Sequence, residues 1–298
     1  MQQTTTVRSF VGTVLASALI GCGGGIESGS TITAKPGPDT IGGDVQPNDG
    51  SRSKDRPNGG GGTGTLAGVI TYTGTAPAAR LPDGFVEKDK YCTANKAQIK
   101  DESLIVGPKG GLANVLVYLE RKPRGYTAPK VPDKPAVFDQ KFCTFVPHIL
   151  TLRVNQVLEI RNSDNTTHNM HPYPVANAGF NSSLPGPNGK DDSHRYAVRE
   201  KIPIKVVCDV HPWMIAYHFP LDHPFVFVTK KDGKFTIAGL PAGTHTFKIW
   251  HEESGWLERG KTITIRPGET TSLNLSFGPE RFTRFQGTRP KVVVFSRR

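Results

Sequence analysis

The chain has 298 residues, enough for two domains once its ends are set aside, and its formal charge of +11 is spread thinly rather than in blocks. Such a charge suits anionic partners or a lipid surface; with no RNA-binding motif, zinc-finger spacing or basic helix, nucleic acid is not an expected partner. The 33 glycines and 24 prolines, with β-branched residues in short runs, point to an all-β protein rich in turns.

Residues 1–21 begin polar, with Arg8, and continue as an apolar run from Phe10 to Ile20 that is too short to span a bilayer as a stable helix. This stretch reads as a secretory signal. Its end, Leu19-Ile20-Gly21-Cys22, resembles the bacterial lipobox, which implies a lipid-modified Cys22 as the mature N-terminus. Gly23 stands where an inner-membrane retention signal would place aspartate, so the resemblance implies anchoring to the outer membrane, in the periplasm or at the cell surface. Residues 22–62 are rich in glycine, serine, proline, aspartate and asparagine, a composition that cannot bury a core and reads as a disordered tether. About 40 such residues reach roughly 35 Å, enough to lift a domain clear of lipid head groups.

Structure is expected from Thr63. Leu66 to Tyr72 alternates like a strand, a loop-rich segment carries Cys92, and Leu112 to Leu119 reads as a second strand before the prolines at 123, 129, 132 and 135 mark a boundary. Residues 126–222 form the next unit, with short strands expected at 137–145, 149–154, 157–161, 195–198, 204–208 and 214–219, and a loop from Pro172 to Asp192. Residues 223–278 return to the first style, with turns at Asp232-Gly233 and Leu240-Pro241-Ala242-Gly243 and strands at 225–229, 234–237, 245–251, 261–265 and 271–277. A basic tail, 279–298, closes the chain. Five strands in the last unit are thin for a closed sandwich, and those near residues 66–72 and 113–119 have no core of their own. The economical arrangement is one discontinuous sandwich, 63–125 with 223–278, into which residues 126–222 are inserted.

The inserted unit carries the chemistry. Cys208-Asp209-Val210-His211-Pro212-Trp213-Met214 offers a thiolate, an imidazole and a thioether spaced C-x2-H-x2-M, and Asn162 to His171 offers His168. Two imidazoles and a thiolate in a trigonal plane, with a long axial thioether, suit copper cycling between two oxidation states. Zinc could use the same His2Cys donors, but structural zinc prefers closed four-ligand sites without thioether. His171 lies three residues from His168, on the opposite face of an extended strand, and reads as a surface or supporting group. His148, His218 and His223 flank strands and read as structural or exposed; in Trp250-His251-Glu252-Glu253, one histidine and two adjacent carboxylates do not converge in a strand. With Cys22 and Cys208 assigned, Cys92 and Cys143 remain as a spare pair, which in an exported protein most often forms a disulfide.

These motifs resemble the small blue-copper proteins, amicyanin above all, then plastocyanin and pseudoazurin. The resemblance implies a cupredoxin-like Greek-key sandwich with His168, Cys208, His211 and Met214 as ligands of one type 1 copper ion, and Asn169 as a hydrogen-bonding group near the cysteine. The long loop from Pro172 to Asp192 departs from that family. The flanking segments resemble a carboxypeptidase regulatory-like domain, a transthyretin-like β-sandwich, through the stretch from Asp232 to Gly243, "DGKFTIAGLPAG". Those are turn and core signals and name no activity. No nucleophile triad, paired-carboxylate spacing or phosphate-cradling loop stands out, so the expected function is single-electron transfer between redox proteins rather than substrate turnover. The edge of His211, with Pro212 and Trp213, is the expected electron exit surface. The rival reading is a surface lipoprotein that binds carbohydrate or protein, with the metal site structural or empty; copper storage is a third.

Overall fold

The computed structural model describes residues 61–186, 189 and 191–282. The expected signal, Cys22, the tether up to residue 60 and the tail beyond residue 282 lie outside the described residues. Among the described residues no helix is long and apolar enough to cross a membrane.

Strands make up nearly all of the regular structure among the described residues. Strand β1 (Thr63–Tyr72) is followed by a short helix α1 (Lys90–Ala94) and strand β2 (Leu116–Leu119). Next come β3 (Ala136–Lys141), β4 (Thr144–Val146), β5 (Ile149–Arg153), β6 (Leu158–Asn162), β7 (His168–Tyr173), β8 (Ser182–Leu184), β9 (Asp192–His194), β10 (Ile204–Val207) and β11 (Ile215–Leu221). The last group is β12 (Val226–Val228), β13 (Lys234–Pro241), β14 (Gly243–His251), β15 (Gly255–Ile265), β16 (Thr270–Ser272) and β17 (Leu275–Phe277).

Four sheets result, in two facing pairs. Strand β1 pairs antiparallel with β13 and parallel with β16 and β17, and faces a sheet ordered β12-β2-β14-β15. Leu66, Ile70, Val115, Val117, Phe235 and Phe247 fill the space between them. Strands β5-β11-β10-β7-β8 form the third sheet and β4-β3-β6-β9 the fourth, around Phe138, Ile160, Met170 and Val206. A third apolar cluster of Leu116, Tyr118, Ile149, Phe219, Leu221 and Trp250 joins the second sheet to the third. There Tyr118 meets Phe219 edge-on at 4.6 Å and Tyr217 meets Trp250 at 5.0 Å. Such aromatic pairs each contribute about 0.5–1.5 kcal/mol beyond their buried area. Every residue of β2 is buried, as a strand covered on both faces requires.

The expected continuous strand over 137–145 is instead a hairpin. Phe142 and Cys143 both adopt φ of 53° and form a two-residue turn between β3 and β4. Left-handed backbone at consecutive non-glycine residues is costly, and nothing in the Phe-Cys dipeptide announces it. The turn is held from outside, since the Asp164 carboxylate accepts the N–H of Phe142 at 2.6 Å and that of Cys143 at 2.7 Å. The expected strand at 195–198 lies earlier, at β9, where it pairs with β6. The expected loop from Pro172 to Asp192 holds β8, which pairs with β7.

Candidate metal centre

Strand β7 opens with His168, and β10 leads directly into Cys208. Together the two strands place one imidazole and one thiol at the same end of the sandwich. After Cys208 the chain turns tightly: Met214 N–H donates to the His211 carbonyl at 2.9 Å, and Cys208 N–H to the Met214 carbonyl at 3.2 Å. That turn folds His211 back beside Cys208. Pro212 is exposed, whereas Trp213 and Met214 are buried.

Three donor atoms converge. Nδ1 of His168 lies 2.8 Å from Nδ1 of His211, and Sγ of Cys208 lies 4.0 Å and 3.9 Å from those two nitrogens. A triangle with edges of 2.8, 3.9 and 4.0 Å has a circumradius of about 2.1 Å, close to ordinary metal–nitrogen and metal–sulfur bond lengths. His168, Cys208 and His211 are all buried. Burial alone would raise the Cys208 thiol, but the two imidazoles and the Asn169 N–H lower it to about 6, which favours the thiolate a soft metal needs. Asn169 donates its backbone N–H to Sγ at 3.5 Å, and its Oδ1 lies 3.3 Å from the same sulfur while accepting Asp209 N–H at 2.8 Å. The expected supporting place of Asn169 beside the cysteine is thus occupied. Met214 is 2% exposed and packs in the same core, on the ligand loop.

Each imidazole turns its other nitrogen to a carboxylate. Nε2 of His168 lies 2.9 Å from Asp164 Oδ2, and Nε2 of His211 lies 3.6 Å from Asp89 Oδ2. Partners of this kind fix the tautomer and leave Nδ1 free to coordinate. Burial would lower His168, but the Asp164 hydrogen bond and Cys208 hold it above its ordinary value. Asp164 is fully buried and also accepts the Tyr91 hydroxyl at 3.0 Å. His171 lies outside the donor triangle and bonds Asp209 at 3.0 Å.

Asp89 was not visible as a site residue in the sequence. It caps α1, accepting Cys92 N–H at 2.9 Å, and it accepts the Thr166 hydroxyl at 2.7 Å. Burial would raise Asp89, yet these bonds and the nearby His211 hold it below the ordinary carboxylate range. Cys92 and Cys143 form a disulfide that ties the segment to the β3–β4 turn. Only the Asp89-to-Cys92 capping spacing, read together with that disulfide, could have pointed to Asp89.

Two of the three residues of the expected exit surface are buried in this arrangement. His211 is 2% and Trp213 5% exposed, because the segment around Phe85, Asp89 and Tyr91 lies over them. Phe85 packs edge-on to Trp213 at 4.9 Å, and Trp213 Nε1 donates to the Cys143 carbonyl at 3.1 Å. Of the three expected surface residues, only Pro212 is open to solvent.

His148 is buried and paired with Glu252, with Glu102 at 3.7 Å, so the Trp250 to Glu253 stretch contributes an ion pair between the two facing-sheet units. Burial would lower His148, but Glu252 raises it to about 9. Neither a protein-family model nor a curated relative matches the sequence. Among solved structures, the chain is similar to a purple cupredoxin from Nitrosopumilus maritimus, with a TM-score of 0.25 and 20% identity over 29% of this chain and 99% of that one. It is also similar to an amicyanin variant in its Cu(I) form, with a TM-score of 0.27 and 16% identity over 31% of this chain and 87% of that one. A copper-containing nitrite reductase from Thermus scotoductus matches with a TM-score of 0.27 and 16% identity over 36% of this chain and 26% of that one.

Proposed function

We propose that this protein is a blue-copper electron carrier of the cell envelope, in which His168, Cys208 and His211 hold one copper ion in a trigonal plane and Met214 is its weak axial donor. The observation that carries the reading is the donor triangle, which is buried and sized for a metal, with two imidazole nitrogens and a sulfur favouring the thiolate. Copper bound there would supply a one-electron couple. The chain's own part is to hold the donors nearly still. Asp164 and Asp89 orient the rings, Asn169 fixes the sulfur, and the disulfide pins the covering segment. Such a closed site suits electron carriage between redox proteins rather than turnover of a substrate.

The reading extends to the whole chain. Residues 126–222 form a cupredoxin-like domain inserted in a carboxypeptidase regulatory-like sandwich of residues 63–125 and 223–278. Residues 1–21 are a signal peptide, Cys22 carries lipid, and residues 22–62 tether the protein to the outer membrane. Voltammetry of the copper-loaded full chain tests the carrier assignment. A single reversible one-electron couple per chain is expected, and a protein that binds no copper or shows no couple would sink it.

A further inference from the structure

With His211 and Trp213 buried, the segment around Phe85 and Asp89 is a face that a partner can meet close to the donor triangle, alongside the exposed Pro212. Residues 81–96 carry several charges, most of them engaged. Asp83 pairs with Arg80 at 2.6 Å, Glu87 with Lys96 at 2.8 Å, and Asp89 turns inward to His211. Lys88 and Lys90 are exposed and take part in no ion pair among the described residues. Next to them in the chain Val86 is 43% exposed, and it follows Phe85, which packs on Trp213. Within five residues the cover thus carries an exposed apolar side chain and two exposed lysines with no ion pair among the described residues, while Asp89 of the same segment faces a donor imidazole.

We propose that this cover is the docking surface for an acidic redox protein, with Lys88 and Lys90 recognising its carboxylates and Val86 making the short-lived apolar contact. The proposal rests on the electron-carrier reading. Charges so placed raise the encounter rate and make it salt-dependent, and a small apolar contact lets the complex part quickly. In the transfer one electron passes from the reduced site to a one-electron acceptor; no bond is made or broken.

The surface can be tested without copper. The copper-free full chain, titrated with the redox-inert trianion hexacyanocobaltate(III), should show amide shifts concentrated at residues 86–90. The Lys88→Glu/Lys90→Glu variant should weaken binding about tenfold or more, while Lys201→Glu/Lys234→Glu, with the same change in net charge at two other exposed sites, should not. On the copper-loaded protein, oxidation by hexacyanoferrate(III), which gains one electron, should slow about tenfold in the first variant at low salt, and the difference should fade at high salt. Shifts centred elsewhere, or equal losses in both variants, would overturn the proposal. A copper-loaded protein with no one-electron couple would instead remove the carrier reading, and the titration would still decide whether the cover is an anion-docking face.

Discussion

The histidines at the Cys208 end and those in the packed cores are all buried, yet they are used in opposite ways. His168 and His211 are engaged on both ring nitrogens, Nδ1 toward the other donors and Nε2 toward a carboxylate. His218, His223 and His251 each engage Nδ1, with Tyr196, Phe225 and Glu253, and leave Nε2 without a partner among the described residues. Aromatic rings pack around them instead: Phe138 lies 4.2 Å from His218 and Phe282 5.2 Å from His251. Protonation follows the same division. His168 is held above its ordinary value, whereas burial pushes His218 down to about 3 and His223 and His251 to about 4. The two imidazoles that converge on Cys208 are each backed by a carboxylate, whereas these three packing rings are not; His148, backed by Glu252, is an ion-pair partner instead.

The largest effect should come from cutting the tie that brings Asp89 to His211. The disulfide closes a loop of 51 residues, and the Cys92→Ser/Cys143→Ser variant should lose about 4 kcal/mol in denaturant unfolding. If stability is unchanged, the cover is held by its other contacts. Next in size is Asp164→Asn, which keeps the shape but weakens the acceptor for two turn N–H groups and for His168. A loss of about 2–3 kcal/mol is expected by thermal unfolding, together with weaker copper binding. A loss under 0.5 kcal/mol would show that the turn does not depend on the carboxylate.

Stability should also fall on both sides of neutrality, for reasons of opposite sign. For His218, His223 and His251 the folded pKa lies below the unfolded value, so their contribution is complete above about pH 6.5 and is lost as pH falls toward 4. For His148 the folded pKa, about 9, lies above the unfolded value, so its contribution is complete below about pH 6.5 and is lost as pH rises through 9. That amounts to on the order of 3 kcal/mol. Chemical denaturation from pH 5 to 9.5 should give a maximum near neutrality, and His148→Gln should flatten only the alkaline side. The smallest effect is expected for His251→Leu, which removes an unpartnered nitrogen and should cost under about 1.5 kcal/mol at pH 7 while easing the acid loss.

Much of this plan was legible in the residues. Alternation and turn signals located most of the strands, because a half-buried strand must alternate and a Gly at Asp232-Gly233 must take φ of 69°. The C-x2-H-x2-M spacing brought Cys208 and His211 together because a tight loop leaves those side chains no other direction. The hairpin at Phe142 and Cys143 was hidden, since its left-handed backbone is imposed by Asp164 and the disulfide rather than by local preference. Asp89 and the burial of Trp213 were hidden for a related reason. Both depend on a segment more than 100 residues away from the ligand loop, brought there by long-range contacts that no local pattern records.

The central claim is that Cys208 gives its thiolate to copper between His168 and His211, and the visible spectrum of the copper-loaded full chain tests it most directly. An intense blue band, absent from Cys208→Ser while the fold is retained by circular dichroism, is the expected result. A colourless wild-type complex, or a blue Cys208→Ser protein, would contradict it.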